Sequence, residues 1–323
     1  MTPEELERRL RRAQTYDAWV VALAKFFDAH GLVFGHGTDN SADEAFWLLR
    51  HLQSWQDGVW DAPPDTSLLP GVLSLAARRV AERKPLAYLI DEAWFANLKF
   101  RVNEHVLVPR SPLAEVIERG FAPWCELRAG DRVLDVGTGS GCIAIATACH
   151  CPDVVVDATD VSPAALAVAA DNVARHAVGD RVHLYQADVF PPGDARYRVI
   201  ISNPPYVPER EVAQLPAEYR AEPAVGLAGG PTGFAIVERL LAGAARRLVP
   251  GGVLIVEVGA GQEAFSAAHP ELPLIWLTFE RGGDGVFVLT AEQLSVFTPQ
   301  RESPVGIIIS GQSGRAGRRS TPR

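Results

Sequence analysis

In this 323-residue chain, the stretch most suited to chemistry is Asp135-Val136-Gly137-Thr138-Gly139-Ser140-Gly141, between a Val-rich run and an apolar helical one. Glycines at alternate positions let a backbone turn sharply and approach a ligand with no Cβ in the way. The spacing is G-x-G-x-G, not the G-x-G-x-x-G of dinucleotide enzymes, which disfavours nicotinamide chemistry. A plain strand-to-helix turn could carry the same glycines, so the neighbours matter. Asp160 falls roughly 20 residues beyond the loop, at the end of the next predicted strand, where an acid binds ribose hydroxyls. Alternatively it caps the following helix together with Ser162. Asp188 ends the third predicted strand, placed to accept a hydrogen bond from an exocyclic amine or to form the turn before Pro191-Pro192. Acidic strand ends around one glycine turn make a nucleoside pocket at the carboxyl edge of a sheet. Such a pocket repels a phosphate-rich ligand and tolerates a nucleoside with a positive sulfonium.

A fourth predicted strand ends in Asn203-Pro204-Pro205-Tyr206. The two prolines fix φ and remove two backbone donors, leaving local carbonyls free to face a substrate. Asn203 offers an amide acceptor and an amide donor, and Tyr206 adds an aromatic wall. The set suits a planar amide or amine whose NH₂ must be held with its lone pair towards an electrophile. A structural Asn-Pro turn is the plainer alternative.

These residues need a sheet to converge on. Arg132–Val136, Val154–Thr159, Val182–Gln186, Val199–Ser202 and Val253–Val258 are short Val/Ile-rich runs, with helical segments at Pro163–His176 and Gly233–Leu248. That alternation predicts an α/β fold with a mostly parallel sheet and helices on both faces. Trp276–Glu280 and Val286–Thr290, joined through Gly282-Gly283-Asp284-Gly285, predict a terminal antiparallel pair. Upstream, residues 1–90 read as helical. Leu6 and Leu10, then Trp19, Leu23, Phe26 and Phe27, recur at helical spacing, as expected of a core stripe. Ser41 or Asp43 would cap a helix through Leu52, and a further helix through Leu73 and Val80 would end before Pro85. Between them and the sheet, Trp94–Val102 and His105–Val108 flank Asn103-Glu104 and predict a β-hairpin. The expected organisation is a helical unit over 1–90, a hairpin linker over 91–110, a catalytic unit over 111–294 and a basic, disordered tail over 295–323.

Composition narrows the function classes. The chain carries −8 with 47% hydrophobic and 22% charged residues, which excludes collagen, coiled coil and wholesale disorder. Five arginines against Glu302 give the tail +4, leaving −12 on residues 1–294. An acidic body is poorly suited to phosphate backbones and attractive to a basic protein partner, so direct nucleic-acid binding is not required. No apolar run reaches the roughly 18–20 residues that span a bilayer, so no membrane partner is expected. Met1–Arg12 is charged and lacks the apolar stretch of an export signal, which predicts a cytoplasmic protein. Cys125, Cys142, Cys149 and Cys151 lack C-x-x-C spacing and a second matching pair. They read as buried small hydrophobes in a reducing compartment, with neither metal nor disulfides expected.

Taken in order, the motifs resemble the S-adenosylmethionine-dependent methyltransferases that modify the side-chain nitrogen of glutamine in proteins, over nearly all of residues 1–294. Arg83-Lys84-Pro85-Leu86-Ala87-Tyr88-Leu89, the hairpin, Val108-Pro109-Arg110-Ser111-Pro112 and the glycine loop recur there in this order. So do Asn203–Tyr206, Glu218-Tyr219-Arg220 with Glu222-Pro223, and Gly282-Gly283-Asp284-Gly285-Val286-Phe287. Release-factor enzymes of the family usually read proline-arginine-proline-aspartate where this chain has Pro109-Arg110-Ser111-Pro112. This version, with Ala93-Trp94-Phe95 and Thr290-Ala291-Glu292-Gln293-Leu294, looks like the branch acting on ribosomal protein three of the large subunit, uL3. Ala221 replaces a common histidine and Thr232 a frequent aspartate.

The resemblance implies a Rossmann-like class I methyltransferase sheet with a small helical N-terminal domain joined by a β-hairpin. It implies S-adenosylmethionine bound by Asp135, Gly137, Thr138, Gly139, Gly141, Asp160, Asp188 and Asn203, with Asn203, Pro204, Pro205 and Tyr206 at the reacting amide. Direct transfer is expected, with no Cys or Ser nucleophile and no assigned general base. The Asn203 side-chain oxygen and the Pro204 carbonyl would hold the two N–H groups of a glutamine in uL3. Three alternatives stand beside this reading: the same reaction on peptide chain release factors, an adenine-N6 nucleic-acid methyltransferase, since Asn-Pro-Pro-Tyr alone also occurs there, and a non-catalytic ribosome assembly factor.

Overall fold

Strands buried on both faces read as continuous apolar runs, and the helices between them must cover those faces. The computed structural model describes residues 1–54 and 60–296, so the basic tail lies outside the described residues from 297 onward. A two-stranded hairpin, β1 (Ala93–Phe95) and β2 (Leu98–Phe100), precedes the main sheet. The sheet contains β3 (Arg132–Val136), β4 (Val155–Asp160), β5 (Val182–Gln186), β6 (Tyr197–Ser202), β7 (Leu248–Glu257), β8 (Ile275–Trp276) and β9 (Val286–Thr290). Their order is β5-β4-β3-β6-β7-β9-β8. The pairs from β5 to β7 are parallel, and β9 runs antiparallel to both β7 and β8.

The predicted parallel sheet and antiparallel end are both present, with β8 shorter than Trp276–Glu280. Ile275 and Trp276 pair with Val288 and Phe287 of β9, and the Leu277 N–H still donates to the Val286 carbonyl at 2.8 Å. Two apolar clusters pack the sheet's faces. The chain leaves β3 for β4 on one side and β6 lies on the other, so strand order reverses between β3 and β6. Open α/β sheets bind ligands at the carboxyl edge of such a switch point.

The helical unit contains Pro3–Arg12, Tyr16–Ala29, Ser41–Leu52, Leu69–Glu82 and the single turn Leu86–Leu89. Thr2 and Glu5 close a reciprocal capping box on the first helix. The third helix is capped by Asn40, whose side chain accepts from Asp43 N–H, not by Ser41 or Asp43. Asn40 sits at the last extended residue, where a side-chain oxygen reaches the free N–H groups. Trp19, Leu23, Phe26 and Phe27 are buried as the stripe predicts. Their cluster runs on through Val102, Val106 and Val108 and reaches Ala165 and Val168 on the helix Pro163–Arg175 beside the sheet.

The hairpin turns at Ala96-Asn97, with φ of 48° and 63°, not at Asn103-Glu104. Two left-handed residues give the twist that a two-residue hairpin loop needs. Asn103 instead accepts from the His105 N–H at 3.0 Å through its side chain, an Asx-type turn beyond the end of β2.

The helical unit meets the sheet through buried charge. Arg79 has no exposed surface, its Nε donates to Glu44 at 2.7 Å, and its Nη1 lies 3.5 Å from Glu218. Glu218 also receives Arg83 at 2.8 Å and the Val33 N–H at 3.1 Å. Removing one partner of such a cluster leaves uncompensated charge. Arg79→Met is expected to lower unfolding stability by about 3–5 kcal/mol. Urea denaturation checks this, and a loss within the error of an ordinary surface substitution would contradict it.

Candidate active site

The parallel register sets the site. Val136 pairs with Thr159 on one side and Ser202 on the other, so Gly137, Asp160 and Asn203 emerge at one level of the carboxyl edge. There a cavity of about 680 Å³ opens between the glycine loop, Asn203–Val207, linker residues 105–111 and a strap over residues 215–228.

Gly137 and Gly139 have φ of 73° and 55°, and a Cβ at either would meet nothing within 4 Å. Their bareness therefore serves the backbone turn and leaves open space where a ligand can approach. Thr138 Oγ1 donates to Asp135 Oδ2 at 2.6 Å, and the Ala144 N–H donates to the same oxygen at 3.1 Å. Asp135 thus ties the loop to the first turn of the helix Cys142–His150 and sits beneath the cavity, fully buried, while its Oδ1 has no partner. Burial pushes its pKa from the ordinary 3.8 up to about 7, against the Thr138 and Ala144 hydrogen bonds and with help from Asp160.

Asp160 lines the cavity, its two oxygens accepting from the Gly139 N–H at 2.9 Å and the Ser162 N–H at 2.8 Å. The carboxylate thus supports the glycine loop and holds the N–H of Ser162, whose own side chain caps the next helix. Asp188 also lines the cavity, but its side chain is paired with Arg239. That pair is exposed, and exposed pairs contribute only about 0–1 kcal/mol, so exchanging it for a ligand amine costs little. Asn203, Pro204, Pro205 and Tyr206 all line the same cavity, and no hydrogen bond within the described residues takes up the Asn203 amide. Thr138 lines it too, whereas Gly141 packs against Ile145 and Ala169 behind the loop.

Of the cysteines, Cys142 lines this cavity at the start of the helix after the glycine loop, whereas Cys125, Cys149 and Cys151 do not. Burial raises all four thiols, Cys142 to about 12, so none is a poised thiolate. No group of three or more His, Cys, Asp or Glu suited to a metal occurs among the described residues.

Several supporting residues escaped sequence reasoning. Asn172, fully buried, donates to the carbonyls of Arg101 and Ser140, both at 2.9 Å, and accepts from Arg101 N–H at 2.8 Å. It fastens the chain just after the hairpin to the glycine loop. Glu222 accepts the forked guanidinium of Arg110 at 2.5 and 2.7 Å and the Val108 N–H at 3.0 Å, with His36 3.5 Å away. Burial works to raise the Glu222 pKa, but His36 and Arg110 more than offset it and hold the carboxyl below its ordinary value. Arg110 also lies over the Tyr219 ring at 5.5 Å. Glu218 and Glu222 were visible only within a motif of the resemblance, and no local signal marks Asn172.

A nucleoside-sized cavity at the switch point, acidic at Asp160 and Asp188 and floored by bare backbone, fits S-adenosylmethionine. Fold and site together define a class I S-adenosylmethionine-dependent methyltransferase. Residues 122–218 match the family model described as the methyltransferase small domain. The chain is 44% identical over 274 residues to the ribosomal protein uL3 glutamine methyltransferase of Bordetella pertussis, covering 83% of this chain and 92% of that protein. It is 43% identical over 279 residues to the enzyme of the same name from Neisseria gonorrhoeae, covering 84% and 93%. The chain belongs to the family of ribosomal protein uL3 glutamine methyltransferases.

Two outcomes follow from the loop's carboxylates. Asp135 has a folded-state pKa above its unfolded value, so it favours folding less as pH rises from about 4 to about 7 and is constant above that. Asp135→Asn should therefore gain stability relative to the parent across that window, read as the difference in urea midpoints at each pH. Asp160→Ala should weaken S-adenosylmethionine binding by about 1.5–3 kcal/mol, roughly 10- to 150-fold, by calorimetry. An unchanged dissociation constant in a folded variant would reduce Asp160 to a support of the glycine loop.

Proposed function

We propose that this protein transfers a methyl group from S-adenosylmethionine to the side-chain amide nitrogen, N5, of a glutamine in ribosomal protein uL3. The observation that carries the reading is Asn203. Its amide is uncommitted, borders the cavity that the glycine loop and Asp160 also line, and is followed by two prolines that donate no backbone hydrogen bond. The names and identities of the bacterial relatives support the same acceptor.

An amide nitrogen is a poor nucleophile because its lone pair is delocalised into the carbonyl. The protein's contribution is therefore orientation, which is worth up to roughly 7–11 kcal/mol of barrier when reactants are held in near-attack geometry. The Asn203 side-chain oxygen and the Pro204 carbonyl accept the two N–H groups of the acceptor glutamine. Holding both hydrogens favours the pyramidal nitrogen that develops during attack. Gly137–Gly139 and Asp160 hold the cofactor, and Asp188 releases Arg239 to meet the adenine amine. When bound, S-adenosylmethionine supplies a methyl group on a positive sulfonium. Tyr206 and the strap close the acceptor side against water. The Asn203 site needs no nucleophilic side chain, and the nitrogen's proton leaves to solvent or a backbone carbonyl.

The acidic body raises the encounter rate with a basic ribosomal protein at low salt. Such an enzyme works where uL3 is free, in the cytoplasm, before the glutamine is enclosed in the particle. Free uL3 and release factors are compared as acceptors at equal concentration with labelled S-adenosylmethionine, and mass spectrometry locates the methyl group. Preferential modification of a release factor would overturn the acceptor, and methyl groups found only on adenine would overturn the reaction. Asn203→Ala should abolish transfer to uL3 while cofactor affinity stays within several-fold, since Asn203 mainly orients the amide. Calorimetry showing both lost together would make Asn203 a cofactor or folding residue.

A further inference from the structure

Glu257 closes β7, the strand next to the one that delivers Asn203, yet it does not line the cavity. Its side chain is buried and accepts from two hydroxyls. Ser111 donates in a short hydrogen bond to Oε2, and Tyr206 donates to Oε1 at 3.4 Å. Both donors line the cavity, Ser111 directly after the linker and Tyr206 in the loop after β6. Gly259, two residues on, has a φ of 48°, and a Cβ there would stand 2.8 Å from the Tyr206 ring. The ring therefore lies against bare backbone on one side and is drawn to the carboxylate at its tip. The other charged groups that face Glu257 are Arg110 from the linker and Asp284 from the turn before β9. Arg110 is already committed to Glu222.

We propose that Glu257 is a positioning residue for methyl transfer: as a carboxylate it accepts from Ser111 and Tyr206 together and thereby sets the width of the slot that holds the acceptor amide. This rests on the glutamine-methylation reading. An ionised carboxylate only accepts, so both hydroxyls can point at it at once. Protonation turns one of its oxygens into a donor, and the hydroxyl facing that oxygen must reorient or leave. Burial raises the Glu257 pKa to about 7, with Ser111, Arg110 and Tyr206 opposing and Asp284 assisting. The paired arrangement is thus complete above that pH and lost below it. A glutamine amide does not titrate near neutrality and a sulfonium keeps its charge at every pH. An inflection of kcat in this range therefore belongs to the enzyme.

The test compares the parent, Glu257→Gln and Tyr206→Phe, with uL3 as acceptor, from about pH 5.5 to about pH 8.5. In the parent, kcat should fall below about pH 7 and level off about tenfold lower. Glu257→Gln mimics the neutral acid, so its kcat should be about tenfold lower at high pH and flat, with the S-adenosylmethionine dissociation constant within about twofold. Combining the two substitutions should cost less than the sum of the single losses, because both remove one contact. A readout without turnover accompanies this. Tyrosine absorbance of the substrate-free protein should titrate near pH 7 in the parent and in neither variant.

Glu257→Gln that matches the parent in kcat and pH profile overturns the positioning role and leaves glutamine methylation standing. Loss of cofactor affinity or of folding in that variant also overturns it, in favour of a purely structural residue. A parent that modifies no glutamine fails the reading itself, and the role of Glu257 with it.

Discussion

Two buried glutamates on one short segment, Glu218 and Glu222, oblige three parts of the chain to meet in one arrangement. A carboxylate taken out of water is tolerated only with charge and hydrogen bonds to replace its hydration. Glu218 finds these in Arg79, Arg83 and the Val33 N–H of the helical unit. Glu222 finds them in Arg110 and the Val108 N–H of the linker. Neither can be satisfied unless helices, linker and sheet are already aligned. The segment that carries both also forms a wall of the cavity. Such pairs contribute little net stability against an apolar replacement, but a misaligned competitor would leave them bare, so their effect is to specify geometry.

That geometry pays off at the sheet because strand order and register act together. Parallel pairing without a slip between β3, β4 and the end of β6 brings Gly137, Asp160 and Asn203 to one edge. Reversal of strand order then opens a gap there that neither flanking helix covers. The glycine turn lies on one side of the gap and the Asn203 amide on the other. A single-residue shift of β6 would turn every side chain of that strand to the opposite face.

Much of this was legible in the residues because its signals are local. The bounds of β3, β5 and β9 match the apolar runs, and the helix from Pro163 ends within a residue of its expected stop. Proline, glycine and β-branched residues act on their own neighbourhoods. The hairpin turn was misplaced because Asn103-Glu104 is the more polar pair, whereas Ala96 takes a left-handed conformation that its type disfavours. Asp188 was legible as a cavity residue but not as the partner of Arg239. Glu257 and Asn172 left no trace of their roles. Ser111 and Glu257 are 146 positions apart, and Arg101 and Asn172 are 71 apart. Only folding brings such partners together, and a single sequence contains no record of which distant polar groups will be buried in pairs.

The helical unit does not own its core. Ala165 and Val168, on a helix that flanks the sheet, complete the cluster built by Trp19, Leu23 and Phe27. A cut through the linker would open an apolar surface on both pieces, so this chain is poorly suited to behave as two interchangeable modules. Any replacement of the helical unit would have to present a matching apolar face to the helix after Asp160, so the two parts of the chain are constrained to change together.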